Sequence, residues 1–389
     1  MRLPSLNPFW MCSYSFICVL ILYSLHLSEM YGSFGIITIL VVFFISVFFI
    51  IGAIFNVKLK AWFHNNKKEK SEPLIWFNVC FVVIGFFIDC LPSFHIPLLS
   101  IMHGDQYSYT EFGLKTFHVF YMGYISAFAV VSFEHYLKNK KLSCFLGFTL
   151  PIVVTLLIVN RGALLLIIFP MVFVYMYQRK ASNSLNINFK VFSFILVLVG
   201  IVAFGYIGDK RMISSGYTNE KAILDIGQAD PVFENIPTGF FWVYLYASSP
   251  IANLIEQERV GNINRGDFFD FVAGSISPDF ISKYTNPNIS KSFEFDKITP
   301  ELTVSTGFGR AVVIYGYMGF ILLVCWMLLL ILTFSWLNRQ FHIRSVCAIL
   351  SSISALMIFD NMFIFSSCIM QLILITILSR FKIGLRSLL

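Results

Sequence analysis

Ten apolar runs of helix length dominate this chain, and that pattern leaves it almost no choice of architecture. A bilayer core takes about 20 apolar residues per helical crossing. Runs of that kind centre near Ile17, Phe43, Val82, Tyr124, Val154, Phe169, Leu198, Leu323, Ala355 and Leu374. They are too long and unbroken for outer-membrane strands, which alternate weakly in segments of about ten residues. Within hydrocarbon each backbone polar group must find its partner inside the structure, and a helix supplies that partner locally. The expected fold is an all-α, polytopic integral membrane helical bundle of about ten transmembrane helices. A 57% hydrophobic, 13% charged composition and a mean hydropathy of +0.77 lie far from those of soluble domains. The first run follows Arg2 with no small-residue cleavage site after it, so it reads as a signal anchor that stays.

Seven spans precede and three follow the polar-rich stretch Asp209 to Phe308, which divides the chain into 1–208, 209–308 and 309–389. Short loops rich in Lys and Arg mark the cytoplasmic side. Lys58, Lys60, Lys67, Lys68 and Lys70, then Lys138, Lys140 and Lys141, then Arg179, Lys180, Lys190, Arg339, Arg344, Arg380, Lys382 and Arg386 all fall on one face. Both termini are then cytoplasmic, and 209–308 becomes one long extracytoplasmic loop. Within it, 239–255 is apolar and aromatic but interrupted by Ser248, Ser249 and Pro250. It reads as an interfacial or re-entrant segment too short and broken to cross, with Trp242, Tyr244 and Tyr246 at headgroup depth. A shorter external segment, Leu91 to Thr116, has Asp89 at its entry and carries His95, His103, Asp105 and Glu111. No internal repeat emerges, which weighs against the many transporter folds built on inverted halves.

Several function classes drop out. The net charge of +7 is explained by the cytoplasmic flanks meeting anionic headgroups, so nucleic acid is not an expected partner and membrane lipids are. All eight cysteines lie in or beside apolar spans and none in the long loop, so no disulfide framework is implied. Phosphate-binding loop, dinucleotide fingerprint, Gly-x-Ser-x-Gly elbow and His-Glu-x-x-His are all missing. His95, His103 and Asp105 do not follow a zinc-like spacing, and neither metal nor cofactor is expected. Outside the cytoplasm a transferase has no nucleotide sugar, so any substrate must arrive already activated, as lipid-carried sugars do.

Isolated arginines stand out against a mildly acidic loop. Arg161 sits in Asn160-Arg161-Gly162 between the fifth and sixth spans, either as a snorkelling anchor or as a bidentate donor for pyrophosphate oxygens. Arg310 closes Thr303-Val-Ser-Thr-Gly-Phe-Gly-Arg310, where Gly307 and Gly309 could let backbone approach a ligand and Ser305 and Thr306 supply donors. Arg259 and Arg265 flank Gly261 and Gly266; either could hold phosphate or pair with Glu256, Glu258 or Asp267. Arg211 emerges from the seventh span beside Asp209 and Lys210. A general base would be a carboxylate or histidine near an acceptor hydroxyl. Asp267 and Asp270, with His95, His103 and Asp105 as rivals, are the candidates.

The Asn-Arg-Gly turn after a mid-chain span, the long loop, Tyr246-Ala-Ser-Ser-Pro250-Ile-Ala-Asn253-Leu within it, the exit into Tyr315-Gly-Tyr-Met-Gly319 and the segment Tyr107-Ser-Tyr-Thr-Glu-Phe-Gly113 together resemble O-antigen polymerases of the Wzy type. The likeness covers the architecture throughout, with matching residues in short islands. It implies an inner-membrane glycosyltransferase that moves a growing glycan from undecaprenyl pyrophosphate onto a new lipid-linked repeat unit, without nucleotide or metal. The implied partners are undecaprenyl-pyrophosphate-linked oligosaccharide and a chain-length regulator protein. Arg161, Arg310 and Arg265 carry over as catalytic candidates; Arg211, Arg259, Trp242, Tyr246 and Asn253 are the substrate-binding ones. The related O-antigen ligases use a histidine in their large loop, and this loop has none. A ligase, or a glycan or lipid exporter, is the alternative.

Overall fold

The computed structural model describes residues 6–65, 75–102, 112–178, 187–214, 216–219 and 221–380. Eight helices come first: α1 (Pro8–Ser24), α2 (Ile36–Asn65), α3 (Ile75–Cys90), the short α4 (Pro97–Met102), α5 (Phe117–Asn139), α6 (Leu142–Leu157), α7 (Arg161–Gln178) and α8 (Ile187–Ser214). Five more follow, α9 (Ala222–Ile226), α10 (Thr238–Arg259), α11 (Phe268–Phe271), α12 (Asp279–Thr285) and α13 (Ile289–Ser292). The chain closes with α14 (Gly309–Leu337), α15 (Ile343–Leu356) and α16 (Ser366–Arg380). No strand occurs among the described residues; a single antiparallel bridge joins Ser28 to Ala229.

Each of the ten expected centres falls inside a helix. By length and composition, however, only four of the described helices suffice to cross a membrane alone: Ile36–Phe63, Phe117–Asn139, Arg161–Gln178 and Gly309–Leu337. Pro8–Ser24, Trp76–Cys90, Leu142–Leu157, Ile343–Leu356 and Ser366–Leu378 are apolar but shorter. Helix α2 shows the membrane character most directly. Ile39, Phe43, Ile50, Ile54 and Val57 form an exposed apolar stripe at helical spacing, while Ile37, Val41, Phe44, Phe48 and Phe55 turn into the core.

Helix α15 occupies the centre. Every residue from Ile343 to Ser354 is buried against α1, α7 and their neighbours. Its serines suit that position because they are small, and three of them find partners nearby. Ser351 bonds Tyr177 Oη at 3.0 Å and Ser352 donates to the Ala348 carbonyl at 3.0 Å.

Residues 209–308 are largely helical and share one hydrophobic cluster with the bundle, through Phe241, Trp242, Leu245, Ile251 and Leu254. The expected break at Ser248-Ser249-Pro250 is absent: α10 runs unbroken for 22 residues with Pro250 inside it. Burial overrides the local weakness there. Ser248 Oγ accepts the Tyr31 hydroxyl at 2.6 Å and donates its own to the Tyr244 carbonyl, while the Pro250 carbonyl receives Thr306 N–H at 3.3 Å. Trp242 and Tyr244 are each only 5% exposed, so they are core residues and not headgroup anchors; Tyr246 remains 38% exposed. At its start α10 meets α8 where Gly239 and Gly205 touch backbone to backbone; a Cβ on Gly205 would lie 2.3 Å from Gly239 Cα.

Two amides one turn apart on α10 tie down the chain that follows. Asn253 Nδ2 donates to the Leu302 and Val304 carbonyls (2.8 and 2.7 Å) and its Oδ1 accepts Ile298 N–H (2.9 Å). Gln257 Nε2 donates to the Asp296 carbonyl (2.7 Å) and its Oε1 accepts Asp296 N–H and Asn262 Nδ2 (2.9 and 3.0 Å). Helix α14 then opens with a kink: Tyr315 and Gly316 leave helical geometry, Gly316 at φ +58°. That break orphans the Val312, Val313 and Ile314 carbonyls, and the N–H groups of Asn264, Arg265 and Gly266 satisfy them at 3.3, 2.9 and 2.8 Å.

Candidate functional site

Helices α5, α7 and α16 start at one end of the bundle and run in register. Gly123 of α5 lies against Met370 and Gln371 of α16, and Gln371 Nε2 donates to the Leu166 carbonyl of α7 at 3.0 Å. Each contact is four to six residues into its helix, so at ~1.5 Å per residue the first turns sit at one level. The segment between α15 and α16 joins this end to residues 209–308: Gly307 N–H bonds the Met357 carbonyl (2.8 Å), Asp279 N–H the Ile364 carbonyl (2.9 Å) and Asn361 Nδ2 the Ser275 carbonyl (2.9 Å). This is the loop end, where most of the sequence candidates fall.

Arg161 is the first residue of α7 and is exposed. Asn160 caps the helix, its Oδ1 accepting Ala163 N–H at 3.0 Å. A cation at a helix N-terminus opposes the macrodipole, at a cost of about 0.3–1 kcal/mol. Among the described residues Arg161 has no hydrogen bond or ion pair to offset it. Arg310, in the first turn of α14, likewise has no direct partner among them. It lines a cavity of about 360 Å³ with Asp279, Asp360 and Lys283.

The carboxylates in that cavity are perturbed. Burial pushes Asp279 up to about 6, against the opposing pull of Arg310 and with a further lift from Asp360. Asp360 is also raised by burial, with the Asn361 N–H and Arg310 pulling the other way. A carboxyl raised by burial in a pocket, as Asp279 is, is a candidate acid–base group. Neither Asp279 nor Asp360 is among the residues that the sequence singled out. The signal available was a lone acidic residue beside an apolar span, which calls for a partner.

The other candidates separate by what they already touch. Arg259 forms a two-pronged bond to Glu256, both contacts 2.7 Å, so the salt-bridge reading holds there. Arg265 is exposed and donates to Asn262 Oδ1 at 3.0 Å, on the strand-like segment crossing the α14 kink. Arg211 lies exposed in the last turn of α8. Asn253 is fully buried with its amide committed to the chain after it, and Trp242 Nε1 is committed to Asp209 Oδ1 at 2.8 Å; neither is placed to meet a substrate. Tyr246 packs edge-on against Phe204 with part of its ring exposed. Asp267 and Asp270 form the capping box of α11, which explains both without catalysis. Gly307 and Gly309 make room for Met357 and Ser305, not for a ligand, and Ser305 and Thr306 are buried.

His95 is exposed and bonds the Ser93 carbonyl at 2.6 Å. His103, Asp105 and Glu111, with the segment 107–111, lie outside the described residues. A different histidine takes the structural position: His118 Nδ1 sits 2.6 Å from Asp89 Oδ2, while Asp89 Oδ1 accepts Leu114 N–H at 3.1 Å. Gly113, at φ +89°, fits between them, since a Cβ there would lie 2.7 Å from both Asp89 Oδ1 and His118 Nδ1. At the opposite end of the bundle Glu134 receives Lys138 and Ser345 (both 2.6 Å) with Arg344 at 3.9 Å. No group of three or more metal-ligating side chains occurs among the described residues. Compared with known protein families, curated proteins and solved structures, the chain matches none.

Proposed function

We propose that this protein polymerises lipid-linked oligosaccharide repeat units, transferring a growing glycan from undecaprenyl pyrophosphate to a new lipid-linked unit at the outer face of a bacterial inner membrane. The observation that carries the reading is the contrast among arginines. Arg161 and Arg310 stand at one end of the bundle without a direct protein partner among the described residues, whereas Arg259, Arg265 and Arg344 are engaged. An anionic ligand would account for both guanidiniums and would offset the cost of a cation opposing the dipole of α7. Charge bias turns this end outward, where an activated donor must come on lipid.

In this mechanism the acceptor hydroxyl attacks the anomeric carbon of the chain's reducing-end sugar, and the lipid pyrophosphate departs with the electron pair of the broken C–O bond. Arg310 and Arg161 stabilise the charge that grows on that leaving group, an effect of about 3–4 kcal/mol for one well-placed donor in a site shielded from water. Arg265, exposed beside the α14 kink and bonded through one nitrogen to Asn262, keeps its other donors for a further contact to the donor substrate.

The test is the surface polysaccharide of a deletion strain carrying variants. Loss of long chains with single repeat units still attached supports a polymerase; loss of all attachment supports a ligase or an exporter. Arg161→Ala should give single units, and normal long ladders would refute its role. Arg310→Lys keeps a point charge but loses the fork, and partial recovery is expected.

A further inference from the structure

The cavity that Arg310 shares holds more than a site for a leaving group. Its wall carries cations from two elements, Arg310 on α14 and Lys283 on α12, and carboxylates from two, Asp279 at the start of α12 and Asp360 between α15 and α16. Two hydrogen bonds across the segments, Asp279 N–H to the Ile364 carbonyl and Asn361 Nδ2 to the Ser275 carbonyl, hold the carboxylates in fixed relation. The Asp279 carboxylate has no hydrogen bond among the described residues, and that of Asp360 accepts only its neighbour Asn361 N–H, at 2.7 Å.

Such a wall suits a neutral polyol. Hydroxyls donate to the carboxylates and accept from guanidinium, ammonium and the amide of Asn286, which also lines the space. A divalent cation is disfavoured because Arg310 and Lys283 would repel it. The volume of about 360 Å³ falls at the lower end of small-molecule sites, the scale of a sugar and not of a long glycan.

We infer that Asp279 takes the proton from the attacking hydroxyl of the acceptor sugar, while Asp360 accepts a second hydroxyl of that sugar and orients it. This rests on the polymerase reading and assigns its general base. The hydroxyl proton passes to the Asp279 carboxylate as the new C–O bond forms. The bond from the anomeric carbon to pyrophosphate breaks, its electron pair leaves with the phosphate beside Arg310, and Asp279 then returns its proton to water. The groups that face Asp279 are Arg310 of α14, Asp360 of the segment after α15, the Cys368 thiol of α16 and Lys283 on its own helix. With Asp279 raised to about 6, the rate should climb with pH through that value and level off above it.

The experiment uses the full chain in lipid nanodiscs with a synthetic lipid-linked repeat unit. Asp279→Asn should lower kcat by about 10²–10⁴-fold, the usual reach of a general base, and abolish the rise in rate near pH 6. Asp279→Glu keeps a carboxylate and should retain that rise at reduced rate. Asp360→Asn should raise KM more than it lowers kcat. Wild-type kcat in a folded Asp279→Asn, or an unchanged acid limb in that variant, overturns the inference. If Arg161→Ala and Arg310→Ala are inactive while Asp279→Asn is fully active, only the base assignment fails; if both arginine variants are also fully active, the leaving-group reading fails with it.

Discussion

Glu258, near the end of α10, reaches across to the N-terminus of α2 and offers a sharp test of how residues 209–308 are held to the bundle. Its two carboxylate oxygens accept the N–H groups of Ile36 and Ile37 at 3.0 and 3.1 Å, and Tyr317 Oη donates to it at 2.9 Å. A negative charge placed on two orphan donors of a 30-residue helix combines a cap with a favourable dipole interaction. At about 1 kcal/mol for each of the three bonds, Glu258→Ala should destabilise the protein by roughly 3 kcal/mol. Gly35 leaves the space that the carboxylate needs, because a Cβ there would sit 2.3 Å from Oε2 and 2.8 Å from Cδ. Gly35→Ala should therefore evict the carboxylate and cost a similar amount through the same lost bonds. Once Glu258 is already Ala, the three nearest atoms that the methyl group would meet are gone, and the second change should cost little. The cycle of two single variants and the double, measured by thermal unfolding in detergent, should show a coupling of about 2 kcal/mol or more, well above the ~0.5 kcal/mol seen for independent sites. Additive losses would refute the arrangement.

Asp279 makes stability depend on pH in a definite direction. Its folded value of about 6 lies above the ordinary aspartate value of about 3.9, so between the two the folded state holds a proton that the unfolded state has lost, and stability falls as pH rises through this window. At 1.36 kcal/mol per pH unit the loss reaches at most about 3 kcal/mol. Asp279→Asn should then match the wild type below pH 4 and unfold at higher temperature above pH 6; equal melting temperatures across the range would contradict the buried carboxyl. Asn253→Ala removes three hydrogen bonds and strands the buried carbonyl of Leu302 and the half-buried N–H of Ile298. A loss of about 3 kcal/mol or more is expected by the same thermal assay, and a loss under 1 kcal/mol would show that the amide is not the clip described here.

Much of the bundle was legible because the signal for a membrane helix is local. A run of apolar residues declares itself without reference to the rest of the chain, and every expected centre lies in a helix. The length of those helices was less legible: α15, with 14 residues, sits wholly inside the protein, where apolar character reports burial by neighbours and not by lipid. The same ambiguity misled the reading of α10. Serines and a proline look like an interruption in sequence, yet a helix packed on several sides keeps its course, since its stability comes mainly from tertiary contact.

Among the site residues, sequence singled out the arginines because isolated cations at membrane edges are costly wherever they occur. It could not say which of them were free. For Arg259 and Arg265 both a phosphate and a neighbouring carboxylate were open, and only the folded chain shows Glu256 on Arg259 and the Asn262 amide on Arg265. Asp89 finding His118, and Asp279 meeting Asp360 across a cavity beside Arg310, are likewise products of packing. Thus the sequence by itself determined a helical membrane protein and where its helices lie, through hydrophobic periodicity that each segment carries alone. Tertiary structure decided which polar groups pair and which remain open to a ligand, because that depends on distances between segments far apart in the chain.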